Sequence, residues 1–140
     1  MKFPALLLAL SIVVPAVSAA PKAAAPDNPE LLAGYRATSL SVPAHQLRFL
    51  SVGDRIDVMA TFDATMEDKK TEAVTATILQ NVIVLAVDQA AGVISLELNP
   101  NEAQYAALFD SKDKLWLSRR AKGDTEMHPM EMASARKLFR

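Results

Sequence analysis

The chain has no cysteine and little glycine or aromatic residue: among its 140 residues are four glycines, and 6% are aromatic. Without cysteine it can form no disulfide, hold no metal through thiolates and carry out no thiol redox chemistry. None of the glycines stands in a Gly-x-x-x-x-Gly-Lys or Gly-x-Ser-x-Gly arrangement, so phosphate-loop and serine hydrolase chemistry have no signal. We therefore expect a non-catalytic protein without a cofactor, whose fold depends on packing alone.

An excess of charge of one sign is also missing. The chain carries 15 Lys and Arg residues against 16 Asp and Glu residues, a net charge of −1. Such a balance provides no general attraction to nucleic acid, whose phosphates select basic surfaces. We expect neither nucleic acid nor a small-molecule substrate as a partner.

The longest apolar run lies at the N-terminus. It extends from Ala5 to Val17 after a short basic start, and small residues follow it at Ser18 and Ala19. This is the pattern of a secretory signal peptide, and the run is shorter than the roughly 20 residues of a membrane span. We predict a signal peptide at 1–19 and a periplasmic location, with an uncleaved inner-membrane anchor as the alternative.

The remaining chain divides into three parts by composition. Residues 20–33 are rich in proline and alanine, which predicts a flexible tether. Residues 34–122 carry the periodic apolar pattern of one small domain. Residues 123–140 form a basic, methionine-rich tail.

Within 34–122 the apolar residues alternate with a period of two, which predicts strands. The clearest alternation places Ile56, Val58 and Ala60 on one face. The stretch Val82–Val87 is apolar on both faces and so belongs at the centre of a sheet or barrel, while Gln80-Asn81 before it indicates a bulge or a bend. The pattern predicts a mainly β domain of the α+β class, with a small curved sheet or barrel.

One short helix is predicted near 100–110. Asn99 is a suitable N-cap, Pro100 suits the first helical position, and Glu102 completes a capping box. We expect the large apolar residues of this helix to pack inward; they are Tyr105, Leu108 and Phe109.

Five strings resemble the RcpC/CpaB family of Flp (Tad) pilus assembly proteins, in the family's order: GYRATSLSV, FLSVGDRIDVMATF, TILQNVIVLAVD, ISLELNPNEAQYAALF and KLWLSRR. The resemblance extends from about Gly34 to Arg120. Family members usually carry an N-terminal membrane segment and a SAF domain before this region, where this chain has a leader and a tether. It therefore resembles the C-terminal RcpC-like domain alone, as in a minimal or divergent paralogue.

The resemblance implies a non-catalytic envelope protein that acts near a membrane in an Flp/Tad-type pilus or a related type II-like secretion system. Its implied partners are the pilus secretin or inner-membrane assembly proteins. A SAF-like flagellar basal-body chaperone is an alternative that rests on related architecture.

Two groups of residues are candidates for an interaction site. The first is the segment Gly53, Asp54, Arg55 and Asp57, which is either a binding edge or a tight turn with an Arg55–Asp57 pair on its outer face. The second is Arg119-Arg120, at the start of a C-terminal stretch with a net positive charge. This stretch could bind an acidic partner or an anionic surface.

The tail also contains the one cluster that resembles a metal site. Thioether and imidazole groups together suit Cu(I), and the candidate ligands are Met127, His128, Met130 and Met132. A periplasmic copper-handling protein is therefore the alternative function. The structural interpretation is a flexible tail whose methionines pack loosely against the domain or a partner.

Overall fold

The computed structural model of the protein describes residues 30–109 and 114–139. The predicted signal peptide at 1–19, the first part of the tether and the end of the predicted helix at residue 110 lie outside the described residues. Within these two ranges, no helix combines the length and apolar character needed to cross a membrane.

The described chain forms an antiparallel sheet with one helix packed on it, which confirms the predicted mainly β class. The elements are β1 (Arg36–Ser41), β2 (Arg55–Thr65), β3 (Thr71–Asp88), β4 (Val93–Leu98), α1 (Pro100–Leu108), β5 (Leu115–Arg119), β6 (Ala133–Ser134) and α2 (Ala135–Leu138). The strand order is β1-β4-β3-β2-β5, and β6 pairs with β3 outside this path.

The core lies on one face of the sheet because each strand turns alternate residues inward. In β2, Ile56, Val58 and Ala60 are fully buried, as the sequence pattern predicts. Val84 in β3 is equally buried. Strand β2 pairs with β3 up to Ile83 and β4 pairs with it from Ile83 onward, so Val84 lies in the middle of the sheet, where the two pairings meet.

The predicted bulge in β3 is present. Between β2 and β3, Ile56 pairs with Val82 and Val58 pairs with Leu79. Strand β3 therefore has one residue more than β2 between these two pairs. Asn81 takes up the difference with a positive φ of 56°. A bulge bends the strand and redirects its side chains, and here it turns Asn81 toward the start of β2.

The capping box of α1 is also present. The Asn99 carboxamide accepts hydrogen bonds from the backbone of Asn101 and Glu102, both at 2.9 Å. The Glu102 carboxylate in turn accepts from the Asn99 amide at 2.8 Å. This reciprocal pair fixes where the helix begins.

The prediction that Tyr105 and Leu108 pack inward is wrong, since they are 57% and 74% exposed. The buried residue of α1 is Ala106. Ala103, Ala106 and Phe109 recur every three residues and form the face that packs on the core, so Tyr105 and Leu108 lie away from it. Phe109 does pack inward, with its ring centroid 5.4 Å from that of Phe62.

Strand β5 forms one edge of the sheet, and a side chain closes this edge. The side-chain nitrogen of Gln46 donates to the Leu115 carbonyl at 2.9 Å, and its side-chain oxygen accepts from the Leu117 backbone amide at 2.8 Å. Gln46 lies in a short 3-10 turn, Ala44–Leu47. Its carboxamide therefore takes the place that a neighbouring strand would occupy.

Candidate functional site

The first candidate segment forms a tight turn that leads into β2. Gly53 has a φ of 89°, a conformation that favours glycine. The Asp54 carboxylate accepts a hydrogen bond from the Ser51 amide at 2.9 Å, as expected for a turn aspartate. The Gly53 amide also donates to the Val84 carbonyl at 2.8 Å, so the turn is fixed to the central strand.

The expected pair between Arg55 and Asp57 is wrong. Arg55 instead donates to the Asn81 side-chain oxygen at 3.0 Å, because the bulge brings Asn81 toward it. Asp57 accepts from Arg120 at 2.8 Å, since β5 lies beside β2 and ends there. The Asp57 carboxylate also accepts from the Asn81 backbone amide at 2.9 Å, so Asn81 contacts both residues.

The Arg120 side chain is only 4% exposed and is the centre of a polar cluster. Its guanidinium contacts the carboxylates of Asp57 and Asp124, each at 2.8 Å, and donates to the Glu126 carbonyl. The hydrogen bond that Arg120 donates to Asp57 is the main cause that raises the pKa of Arg120 above its usual value. The hydrogen bond from Arg120 in turn lowers the pKa of Asp124. Arg120 is therefore a structural cation whose donors are occupied within the protein.

Arg119, its neighbour, is placed in the opposite way. Its side chain is 56% exposed, and its guanidinium lies 4.0 Å from the Asp54 carboxylate. It donates to the Phe49 carbonyl at 2.8 Å. Successive residues of a strand point to opposite sides, so one arginine of the pair is buried and the other faces solvent.

A groove of about 540 Å³ lies between the turn before β2 and the end of β5. Its walls are formed by residues 52–55 and 119–123. Both sequence-predicted groups, the Gly53 turn and the arginine pair, therefore meet in a single site. We call it the β2–β5 groove.

Contrary to the interpretation as a flexible tail, residues 123–139 run along β3 as a strap. The Gln80 side chain donates to the His128 carbonyl at 2.8 Å and accepts from the His128 amide at 3.0 Å. Asn81 donates to the Thr125 carbonyl at 3.3 Å. These two anchors were missed from the sequence, where Gln80-Asn81 predicted only the bulge.

The far end of the strap is fixed by strand pairing and by charge. Strand β6 pairs with β3, with Ser134 opposite Val74. Arg136 then contacts Asp68 at 2.9 Å and Glu72 at 3.0 Å, at the tip of the β2–β3 hairpin. The Lys70 backbone amide, followed by Arg136, lowers the pKa of Asp68.

The four candidate copper ligands lie on the strap, and the three methionines among them are exposed; they are Met127, Met130 and Met132. His128 is held by its backbone, and its imidazole lies 3.9 Å from the Glu126 carboxylate. Within the described ranges, no group of three or more His, Asp or Glu residues could hold a metal ion. The thioether site stays a prediction.

A curved antiparallel sheet with one capped helix defines the chain as a small, mainly β domain whose candidate site is a polar groove. Residues 29–120 match the family model of the Flp pilus assembly protein RcpC/CpaB. The chain belongs to this family, which confirms the resemblance seen in the sequence. No curated protein and no solved structure is significantly similar to the chain.

Proposed function

We propose that the protein is a non-catalytic periplasmic component of an Flp/Tad-type pilus or a related type II-like secretion system. Membership of the RcpC/CpaB family supports the role in pilus assembly. The N-terminal signal pattern supports export to the periplasm. In this proposal the β2–β5 groove binds the secretin or an inner-membrane assembly protein.

The observation that carries the proposal is the contrast between the two arginines of the groove. The Arg120 guanidinium is paired with carboxylates of the same chain, whereas the Arg119 side chain remains largely open to solvent. Because the Phe49 carbonyl holds Arg119 in place, its free donors are presented at a fixed position. A fixed guanidinium suits a carboxylate of a protein partner, which it can bind with two hydrogen bonds.

An exposed aromatic residue lies beside this arginine. Phe49 is 77% exposed, although the removal of a phenyl ring from water is favourable. Arginine and aromatic residues are the types that dominate the binding energy of protein interfaces. The surface next to the groove therefore combines a charged donor, Arg119, with an exposed apolar residue whose backbone it contacts, as expected for a protein-binding surface.

The experiment compares Arg119→Glu with Lys70→Glu in the chromosomal copy. Both reverse one exposed charge, but Lys70 lies at the distant β2–β3 hairpin tip. We expect Arg119→Glu to abolish co-purification of pilus assembly proteins from envelope extracts and to reduce surface pili. Lys70→Glu should leave both unchanged. Normal piliation in a deletion strain would reject the function, and full binding by Arg119→Glu would reject the groove.

A further inference from the structure

Strand β1 is the second edge of the sheet, and its hydrogen-bonding pattern shows which groups face outward. It pairs with β4 in the register Arg36↔Leu98 to Ser41↔Val93, and the Val42 amide continues this ladder to the Gly92 carbonyl at 2.9 Å. Hydrogen-bonded and non-bonded pairs alternate along an antiparallel ladder, so residues 36, 38 and 40 also bond inward. The backbone groups of residues 37, 39 and 41 therefore point away from β4.

Among residues 30–109 and 114–139, no protective device covers this edge. The outward positions carry Ala37, Ser39 and Ser41, which are small, uncharged and exposed. Within the described part of the chain, no hydrogen bond reaches their outward backbone groups. Natural sheets usually blunt a free edge with charges, proline, a bulge or a covering segment, because an open edge pairs with other chains.

We propose that β1 pairs antiparallel with β1 of a second copy of this chain, across a two-fold axis at Ser39. Ala37 then bonds to Ser41 of the partner subunit, and Ser39 lies beside Ser39 of the partner subunit. Two-fold dimers are the commonest assemblies of soluble proteins, and their interface uses the same patch twice. The inference is independent of the pilus role, since it rests on the edge of the sheet alone.

Charge favours a second copy in this register. The one charged residue of β1 is Arg36, at its end, and it donates to the Tyr35 carbonyl at 3.0 Å. The two-fold axis places the two Arg36 residues at opposite ends of the paired strands, about 20 Å apart at 3.3 Å per residue. No like charges therefore face each other, and only small side chains meet at the axis.

Exposed apolar surface favours the same register. Tyr35 is 39% exposed directly before β1. The pairing that centres on Ser39 places this ring beside Pro43 of the partner subunit, on the same side of the sheet. The contact occurs twice, once at each end of the paired strands, so the register covers aromatic surface that the single chain leaves in water.

The test uses charges placed on the proposed axis. Sedimentation equilibrium of the purified protein should show a monomer–dimer equilibrium at micromolar concentration. Ser39→Lys and Ser39→Glu should each weaken the dimer at least about tenfold, because like charges then lie side by side. An equimolar mixture of the two variants should dimerise again, since opposite charges now meet. Ser118→Lys, the same change at an exposed serine of the β5 edge, should not alter the equilibrium.

Three results would overturn the proposal. They are a wild-type protein that stays monomeric, a dimer that Ser39→Lys does not weaken, and two weakened variants whose mixture does not recover. Circular dichroism checks that each variant is folded, and the recovery in the mixture shows that neither variant lost its structure. A strand supplied by a different protein would leave the wild type monomeric alone, which is the first of these results.

Discussion

The two edges of the sheet differ in how their backbone groups are satisfied. On β5 the Gln46 carboxamide donates to one backbone group and accepts from another, as an adjoining strand would. On β1 the outward groups of alternate residues have no partner within the described chain. A single side chain thus occupies two backbone groups in the middle of the β5 edge, whereas no described residue occupies the outward groups of β1.

The free side of β3 is a third case. The first half of β3 extends beyond the end of β4, and the strap covers it with the Gln80 and Asn81 anchors and with β6. The strap therefore covers this stretch of β3 with another segment of the same chain. The described part of β1 has no such cover.

The largest loss of stability is expected from a substitution in β3, the strand that pairs with both β2 and β4. Val84→Asp places a charge without a partner at a fully buried position in the centre of the sheet. We expect a loss of more than about 4 kcal/mol, enough to unfold the domain. Ala90→Asp, in the exposed turn after β3, should melt like the wild type. A folded Val84→Asp protein with an unchanged melting temperature would contradict the assignment of β3 as the central strand.

Removal of the Gln46 side chain from the β5 edge should destabilise the domain less than Val84→Asp does. Gln46→Ala leaves the Leu115 carbonyl and the Leu117 amide without partners, and we expect a loss of about 1–3 kcal/mol in urea unfolding. Gln104→Ala removes the same side chain from an exposed position on α1 and should change stability by less than about 0.5 kcal/mol. Equal effects of the two variants would mean that Gln46 does not seal the edge.

A pair of proline substitutions separates inward from outward amides on the open edge. Thr38→Pro removes an amide that bonds to β4 and should cost about 1 kcal/mol or more. Ala37→Pro removes an outward amide, so its cost in dilute protein should be clearly smaller. Urea unfolding of both variants measures the difference. If Ala37→Pro is the more damaging change, the deduced alternation along β1 is reversed.

The smallest effect is expected on the strap, and only in acid. Arg120 lowers the pKa of Asp124 below the ordinary 3.8, so this contact stabilises the folded chain fully above pH 3.8. The contribution is lost as the pH falls through the lowered pKa. Hydrogen exchange should therefore show the protection of the strap amides falling in strong acid, and Asp124→Asn should remove part of that dependence. Equal protection at neutral and strongly acidic pH would contradict this role of Asp124.

Much of the sheet and the start of the helix could be predicted because their signals are local. Alternation identified the buried face of β2, and the spacing of Asn99 and Glu102 identified the capping box. The turn at Gly53 and the bulge at Gln80-Asn81 likewise follow from the residues themselves. Each of these features depends on neighbours within a few positions of the chain.

What could not be predicted depends on distant parts of the chain. Arg55 and Asp57 lie on one face of a strand, but Asn81 and Arg120 from neighbouring strands reach them first. The exposure of Tyr105 follows from the packing of Ala103 and Ala106 on the core, a choice of helix face that the composition of the helix does not reveal. The path of the strap depends on amide side chains far away in the sequence.

The way in which the strap is held has a consequence for how this protein can evolve. Gln80 binds the backbone of His128, Asn81 binds the backbone of Thr125, and Arg120 also donates to the backbone of Glu126. These anchors contact peptide groups, which every amino acid other than proline supplies in full. Substitutions at these strap positions can therefore accumulate without changing its course. At Thr125, Glu126 and His128 the fold thus constrains the backbone more than the identity of the side chain.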